Sequence, residues 1–206
     1  MKKEKIFLIA IFLVSVFLFW NIYNIILLTF YFSIIFFIYF YITKDSESIK
    51  YLKLPKLKNL SFNLLSIILL FYLLRFFIAI MFSYDSVSPI SVIENNIYAV
   101  IIAPIYEELI MRFLFFIILI RIFDFVKDKF YEEIIIGFII SVVFSIMHRE
   151  HFLIYFFSGI VLYYSFRKSK SIYIPIFIHF IHNYATSVVN ILNNIQLGGG
   201  KIWKSF

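Results

Sequence analysis

The chain has no cysteine, and only 5 glycines and 4 prolines among its 206 residues. Without cysteine, disulfide scaffolds, zinc ribbons, iron–sulfur clusters and thiol nucleophiles are all excluded. With so little glycine and proline there is no collagen-like or low-complexity tract. Charge is scarce too, at 15% of residues against roughly 25% in soluble domains, so charge-driven disorder is excluded. In their place stands apolar bulk: 63% of residues are hydrophobic, including 29 Phe and 15 Tyr. A water-facing surface cannot carry that load, and the composition points to lipid as the solvent.

The charges that remain are unbalanced, with 19 Lys+Arg against 12 Asp+Glu and a net charge of +7. The basic residues sit in short gaps between apolar runs, a placement that reads as membrane topology and contact with anionic lipid. No separate basic fold is left to hold nucleic acid, which is not expected as a partner.

Residues Ile6 to Thr43 contain no Asp, Glu, Lys or Arg. One span needs about 20 residues, so this run predicts two spans turning near Asn21–Asn24. It is too long for a signal peptide, and an uncleaved anchor is expected. Further spans are predicted at Leu60–Phe82, Ile97–Ile120, Ile134–His148, Phe152–Phe166 and Ile172–Leu192. The expected fold is therefore all-α: a polytopic transmembrane helical bundle of about seven spans, within a range of six to eight. Lys2–Lys5, Lys44–Lys58, Arg121–Lys129 and Arg167–Lys170 concentrate on one side, while Arg149, Lys201 and Lys204 fall on the other. That bias predicts a multi-pass protein of the cell membrane with a cytoplasmic N-terminus. The Gly198-Gly199-Gly200-Lys201 tail lacks the spacing of a phosphate loop and reads as a frayed end.

An ionisable group at mid-bilayer costs about 2.5–3.5 kcal/mol on the insertion scale. The span Ile97–Ile120 carries Glu107, Glu108 and Arg112. Glu108 and Arg112 are four apart and can pair on one face. Glu107 points about 100° away and does not share that face equally. Arg75 lies inside another span and receives no role. All four histidines, His148, His151, His179 and His182, fall in the last third of the chain. His179 and Asn183 are one turn apart. Pro104 and Pro175 precede Glu107 and His179 by three and four residues, and each can kink or start a helix.

A glutamate withdrawn from water, with histidine nearby, suits amide hydrolysis as a general base toward water. His179 and Asn183 supply donors for the oxyanion of a tetrahedral intermediate. A metal-dependent version stays open, with Zn²⁺ as candidate cofactor and Glu107, His148 and His179 as candidate ligands. The zincin HExxH helix is absent, and no Ser-centred elbow stands out.

Three motifs in order carry a resemblance. Glu107-Glu108-Leu109-Ile110-Met111-Arg112 is EExxxR, Phe144-Ser145-Ile146-Met147-His148 is FxxxH, and His179-Phe180-Ile181-His182-Asn183 is HxxxN. On successive predicted helices they resemble the CPBP (Abi) family of intramembrane proteases, related to the type II CAAX prenyl endopeptidases. The resemblance covers about Ile97 to Asn190. It implies a protease core over 97–195, beside which the apolar runs predict N-terminal spans and a connector over 1–96 and a tail over 196–206. It implies that Glu107 and His148 activate water, that His179 and Asn183 form an oxyanion hole, and that Glu108, Arg112 and Phe144 support them. Met111 and Phe113 depart from the family's usual residues, which bears on substrate. The expected substrate is a membrane-associated peptide or protein, with membrane lipids as the other partner. Bacteriocin self-immunity or peptide maturation is the expected setting. The alternatives are a catalytically inactive immunity or scaffold protein, and a small transporter using the polar cluster.

Overall fold

The structure, a computed structural model, describes residues 2–21, 48–55, 66, 68–70, 98–148 and 152–197. Among the described residues there are helices, turns and short connectors and no strand, so the fold is all-α. Helix α1 is Lys2–Asn21, and a 3-10 turn follows at Ser48–Leu52. A helical run then begins with a π-helical turn at Tyr98–Ile102. It continues as α2 (Ala103–Glu108), a second π-helical turn (Leu109–Leu114) and α3 (Phe115–Ile122). Helices α4 (Lys129–Met147), α5 (Phe152–Ser169) and α6 (Tyr173–Leu197) complete it.

The helix ends obey local chemistry and correct the expected bounds. Helix α4 starts at Lys129 rather than Ile134, because the Asp128 carboxylate accepts the Phe130 N–H at 2.8 Å and caps the first turn. Helix α5 runs on to Ser169, with Arg167 and Lys168 in a last turn where cations complement the carbonyl end. It closes on Lys170, at φ 54°, whose N–H donates to the Phe166 carbonyl at 2.9 Å. Helix α6 begins at Tyr173, so Pro175 sits in a first turn, where its missing N–H has no helical acceptor to lose. The second span of the Ile6–Thr43 run, most of Leu60–Phe82 with Arg75, Arg149, His151 and the Gly198–Lys201 tail lie outside the described residues.

By packing, the chain divides into two compact units, Met1–Leu60 with Tyr106–Pro175, and Ser61–Ile105 with Ile176–Phe206. In the first unit α4 and α5 form the closest pair, and small residues let them approach. A Cβ on Gly137 would lie 2.7 Å from the Tyr163 ring, and one on Gly159 would lie 2.9 Å from the Ser141 backbone. Gly137, Ser141 and Ser145 recur every four residues along α4, the small-residue row by which helices associate in lipid. The Ser141 hydroxyl is satisfied within its own helix by the Gly137 carbonyl at 2.7 Å. Around this pair Phe113, Phe115, Phe116, Phe144 and Phe166 are fully buried.

Large apolar side chains lie on the surface, and charged and hydroxyl groups lie within the apolar interior. Phe130, Phe138, Leu153 and Phe157 are exposed, while Glu108, Arg112, Ser141 and Ser165 are completely buried. A water-soluble protein arranges these the other way round. Among the described residues one helix, Lys129–Met147, is by itself long and apolar enough to cross a membrane, and Lys5–Val14 is a shorter apolar stretch.

Several segments that the sequence marks as basic meet where α4 begins and α5 ends. Arg167 donates to the Tyr51 hydroxyl at 2.9 Å and pairs with Glu133. Ile172 N–H donates to the Tyr51 carbonyl at 2.9 Å, and the Ser171 hydroxyl to the Lys53 carbonyl at 2.7 Å. The Tyr51 ring packs on Phe116 and Phe166. Lys5 pairs with Asp124, just before α4.

Candidate active site

The first unit holds five of the expected site residues, Glu107, Glu108, Arg112, Phe144 and His148. The helical run that presents them is not a regular α-helix. Two π-helical turns flank α2, and each shifts the register of the side chains beyond it. Glu107 and Glu108 close α2, and Arg112 lies in the second π-helical turn.

Glu108 and Arg112 make the ion pair that their spacing predicts. Arg112 Nη1 donates to Glu108 Oε1 at 3.0 Å, and both side chains are fully buried. The guanidinium also lies over the Phe144 ring, 4.3 Å from its centroid, where the face of the π system attracts a cation. Breaking such a buried pair from one side costs about 3–5 kcal/mol, because the other charge is stranded.

Phe144 extends the same scaffold to His148. Its carbonyl lies 2.8 Å from His148 Nδ1, and its ring centroid 4.4 Å from the imidazole. Tyr155, from α5, stacks on the opposite side at 3.9 Å and an interplanar angle of 20°. A carbonyl oxygen only accepts, so Nδ1 carries a proton and Nε2 is the ring nitrogen left to exchange one. That nitrogen faces Glu107 Oε2 at 3.6 Å. The Glu107 and His148 side chains are 17% and 21% exposed, in contrast to the sealed Glu108–Arg112 pair beside them. At 3.6 Å the two groups are beyond a direct hydrogen bond, and a single water about 2.8 Å from each would bridge them.

His179 and Asn183 belong to the second unit. His179 is 5% exposed on α6, and Asn183 follows one turn later. Asn183 Nδ2 donates to the Ala99 carbonyl at 2.7 Å. This bond answers a backbone problem set by the sequence. In a π-helical turn the Ala99 carbonyl would look to residue 104, which is Pro104 and has no N–H. The asparagine amide supplies the missing donor.

The structure thus brings Glu107 to His148 and Glu108 to Arg112, with Phe144 joining the two pairs. It places His179 and Asn183 together on α6, with Asn183 anchored to Ala99. Sequence reasoning missed two partners, Tyr155 and the Ala99 carbonyl. The second had a signal, since a proline inside a helical run orphans a carbonyl four or five residues earlier. Among the described residues no three His, Asp or Glu side chains gather as a metal ion would need. The Glu107–His148 pair offers two donors where catalytic zinc takes three protein ligands, so no step below is routed through a metal.

An apolar surface around ion pairs and hydroxyls defines a helical protein suited to lipid. Compared with protein families, residues 69–185 match the Type II CAAX prenyl endopeptidase Rce1-like model, a range that contains every residue discussed in this site. The match spans more than half of the chain, and the chain belongs to that family. Membership implies a membrane-located CAAX-type protease. No curated protein and no solved structure matches the chain.

Proposed function

We propose that this protein is an intramembrane endopeptidase that hydrolyses a peptide bond of a membrane-associated protein or peptide through a water activated by Glu107 and His148. The observation that carries the reading is the 3.6 Å approach of Glu107 Oε2 to His148 Nε2, with Nδ1 held on the Phe144 carbonyl. The pair takes one proton from water, and the hydroxide oxygen bonds to the scissile carbonyl carbon. The carbonyl π electrons move onto oxygen. Collapse of that intermediate breaks the C–N bond, and the stored proton passes to the departing amine from the imidazolium Nε2. The fixed Nδ1–H orients the ring for both transfers.

His179 and Asn183 stabilise the oxyanion, Asn183 with the amide N–H that it does not give to Ala99. Glu108 and Arg112 hold the backbone from which Glu107 projects. These roles rest on family membership and on the one-turn spacing along α6.

The protein crosses the membrane about seven times with its N-terminus in the cytoplasm. Supporting this, the basic segments around Lys5, Lys50–Lys53 and Arg167 come to one end of the first unit. The biological setting is bacteriocin self-immunity or peptide maturation.

The test is cleavage of membrane peptides, prenylated and unprenylated, by the purified protein in lipid, with products read by mass spectrometry. Glu107→Gln must lose the product while keeping its thermal transition. Cleavage that persists in this variant ends the mechanism. A phenotype that survives without cleavage identifies a scaffold, and flux lost without a cleaved product identifies a transporter. Inhibition by chelator, reversed by Zn²⁺, would require a third ligand and replace the metal-free route.

A further inference from the structure

At the end of the first unit opposite His148, where α4 begins, a cavity of about 880 Å³ opens between α4, α5 and the Ser48–Leu52 turn. Its chemistry is divided lengthwise. Lys50, Arg167, Lys168 and Lys170 line one end, against a single carboxylate, Glu133, which is already paired with Arg167. Phe130, Ile134 and Phe138 line the α4 side at four-residue intervals and are all exposed. Eight residues of helix make that stripe about 12 Å long.

A second observation points to an occupant. Tyr163 is only 7% exposed and lines the cavity, yet its hydroxyl is buried with no hydrogen-bond partner among the described residues. Arg167 Nε is buried in the same condition. A buried donor left without an acceptor is destabilising, because the hydrogen bond it made to water is not replaced. Both therefore offer hydrogen bonds to a polar group seated at the basic end. Gly137 brings the donor there, since its missing Cβ leaves room for the Tyr163 ring against the α4 backbone.

We infer that this cavity is a binding site for an anionic phospholipid. The phosphate sits among Arg167, Lys168 and Lys170 and accepts from Tyr163, while one acyl chain follows the Phe130–Ile134–Phe138 stripe. Charge selects the lipid over a zwitterionic one: each cation near the headgroup contributes attraction that a choline group cancels. A cytoplasm-facing basic end, as the Lys and Arg bias predicts, would bring it to anionic headgroups.

The site is tested by native mass spectrometry of the full chain released from mixed micelles of phosphatidylglycerol and phosphatidylcholine in equal amounts. Phosphatidylglycerol should be retained about tenfold over phosphatidylcholine. Lys168→Gln/Lys170→Gln should erase that preference, and Ile160→Trp, which fills the apolar part of the cavity, should reduce retention of both lipids. Equal retention by the wild-type chain overturns the inference, and that measurement needs no variant to fold. So does a preference that survives both variants, or a second copy of the chain that displaces lipid from the site. Full competition by soluble glycerol phosphate would reassign the site to a free phosphoester. Peptide cleavage by Glu107 and His148 is not the readout, so failure here leaves the proposed protease mechanism intact.

Discussion

The α4–α5 pair joins a carboxylate to a basic side chain at each of its two ends, and the two junctions differ in kind. Where α4 begins, Arg167 is in direct contact with Glu133 and also donates to Tyr51. Where α4 ends, His148 stands 3.6 Å from Glu107 and is held by the Phe144 carbonyl and the Tyr155 ring. Guanidinium keeps its proton at any working pH, so the first junction is permanent and only ties elements together. Imidazole gains and loses a proton near neutrality, so the second can pass one on. Solvent separates them further. Glu133 is 49% exposed and its pair is screened, whereas Glu107 is withdrawn to 17%. Similar residue types serve anchorage at one end and, in the proposed mechanism, proton exchange at the other.

The sharpest way to break that comparison is to remove exchange without removing contact. Glu107→Gln should lower cleavage by about 10²–10⁴-fold, the usual worth of a positioned general base. Its melting temperature in detergent should stay close to the wild type's.

Next in size is the sealed pair beside it. Arg112→Ala strands Glu108 and should cost about 3–5 kcal/mol of stability, seen as lost thermal transition or poor recovery from the membrane. Glu108→Gln/Arg112→Met should regain part of it. A singly substituted protein that folds normally but cleaves nothing would show that this pair acts in chemistry and not in support.

The Asn183 anchor should come third. Asn183→Leu leaves the Ala99 carbonyl without its donor, at about 1–3 kcal/mol. Pro104→Ala in the same background restores an N–H at position 104, so thermal denaturation of the four proteins should show the two changes compensating. Simple additivity would refute the backbone account of this bond.

Tyr155→Leu removes the stack on His148 and should cost about 0.5–1.5 kcal/mol in stability. Because that ring positions the imidazole, the pH profile of cleavage should move as well, which a purely packing role would not produce. Smallest of all, Glu133→Gln at the opposite end should change stability by less than about 1 kcal/mol, as exposed ion pairs do.

How much of this was legible beforehand depends on the range of each interaction. The Glu108–Arg112 pair and the placement of Pro175 in a first turn lie within one helical turn, and spacing alone predicts them. The equally local Asp128 cap was missed because the apolar run was read from Ile134. The all-α class followed from composition. That Glu107 works with His148 was suggested only by the motif resemblance, because His148 arrives from another helix and no period in the chain records which residues of α4 face α2. The π-helical turns were invisible too. Pro104 announced irregularity, but the turn at Leu109–Leu114 has no proline or glycine to mark it. Tyr155 escaped altogether, being aligned with His148 only once α4 and α5 are in contact.

By itself, then, the chain's amino-acid order determined that the protein is helical, that lipid suits its surface, and that one glutamate shares a face with an arginine while its neighbour does not. Only tertiary structure decided how closely, and against which atom of His148, that neighbour comes to lie. The rise and twist of a helix are set by its own backbone, so residues one turn apart are neighbours in any fold. The depth and rotation of one helix against another are set by how side chains interlock, here by the Tyr163 ring lying on Gly137 and by Ser141 lying against Gly159. Those contacts, 26 and 18 residues apart in the chain, align the end of α4 with Tyr155, while Arg112 lying over the Phe144 ring joins α4 to the helical run that carries Glu107, 3.6 Å from His148.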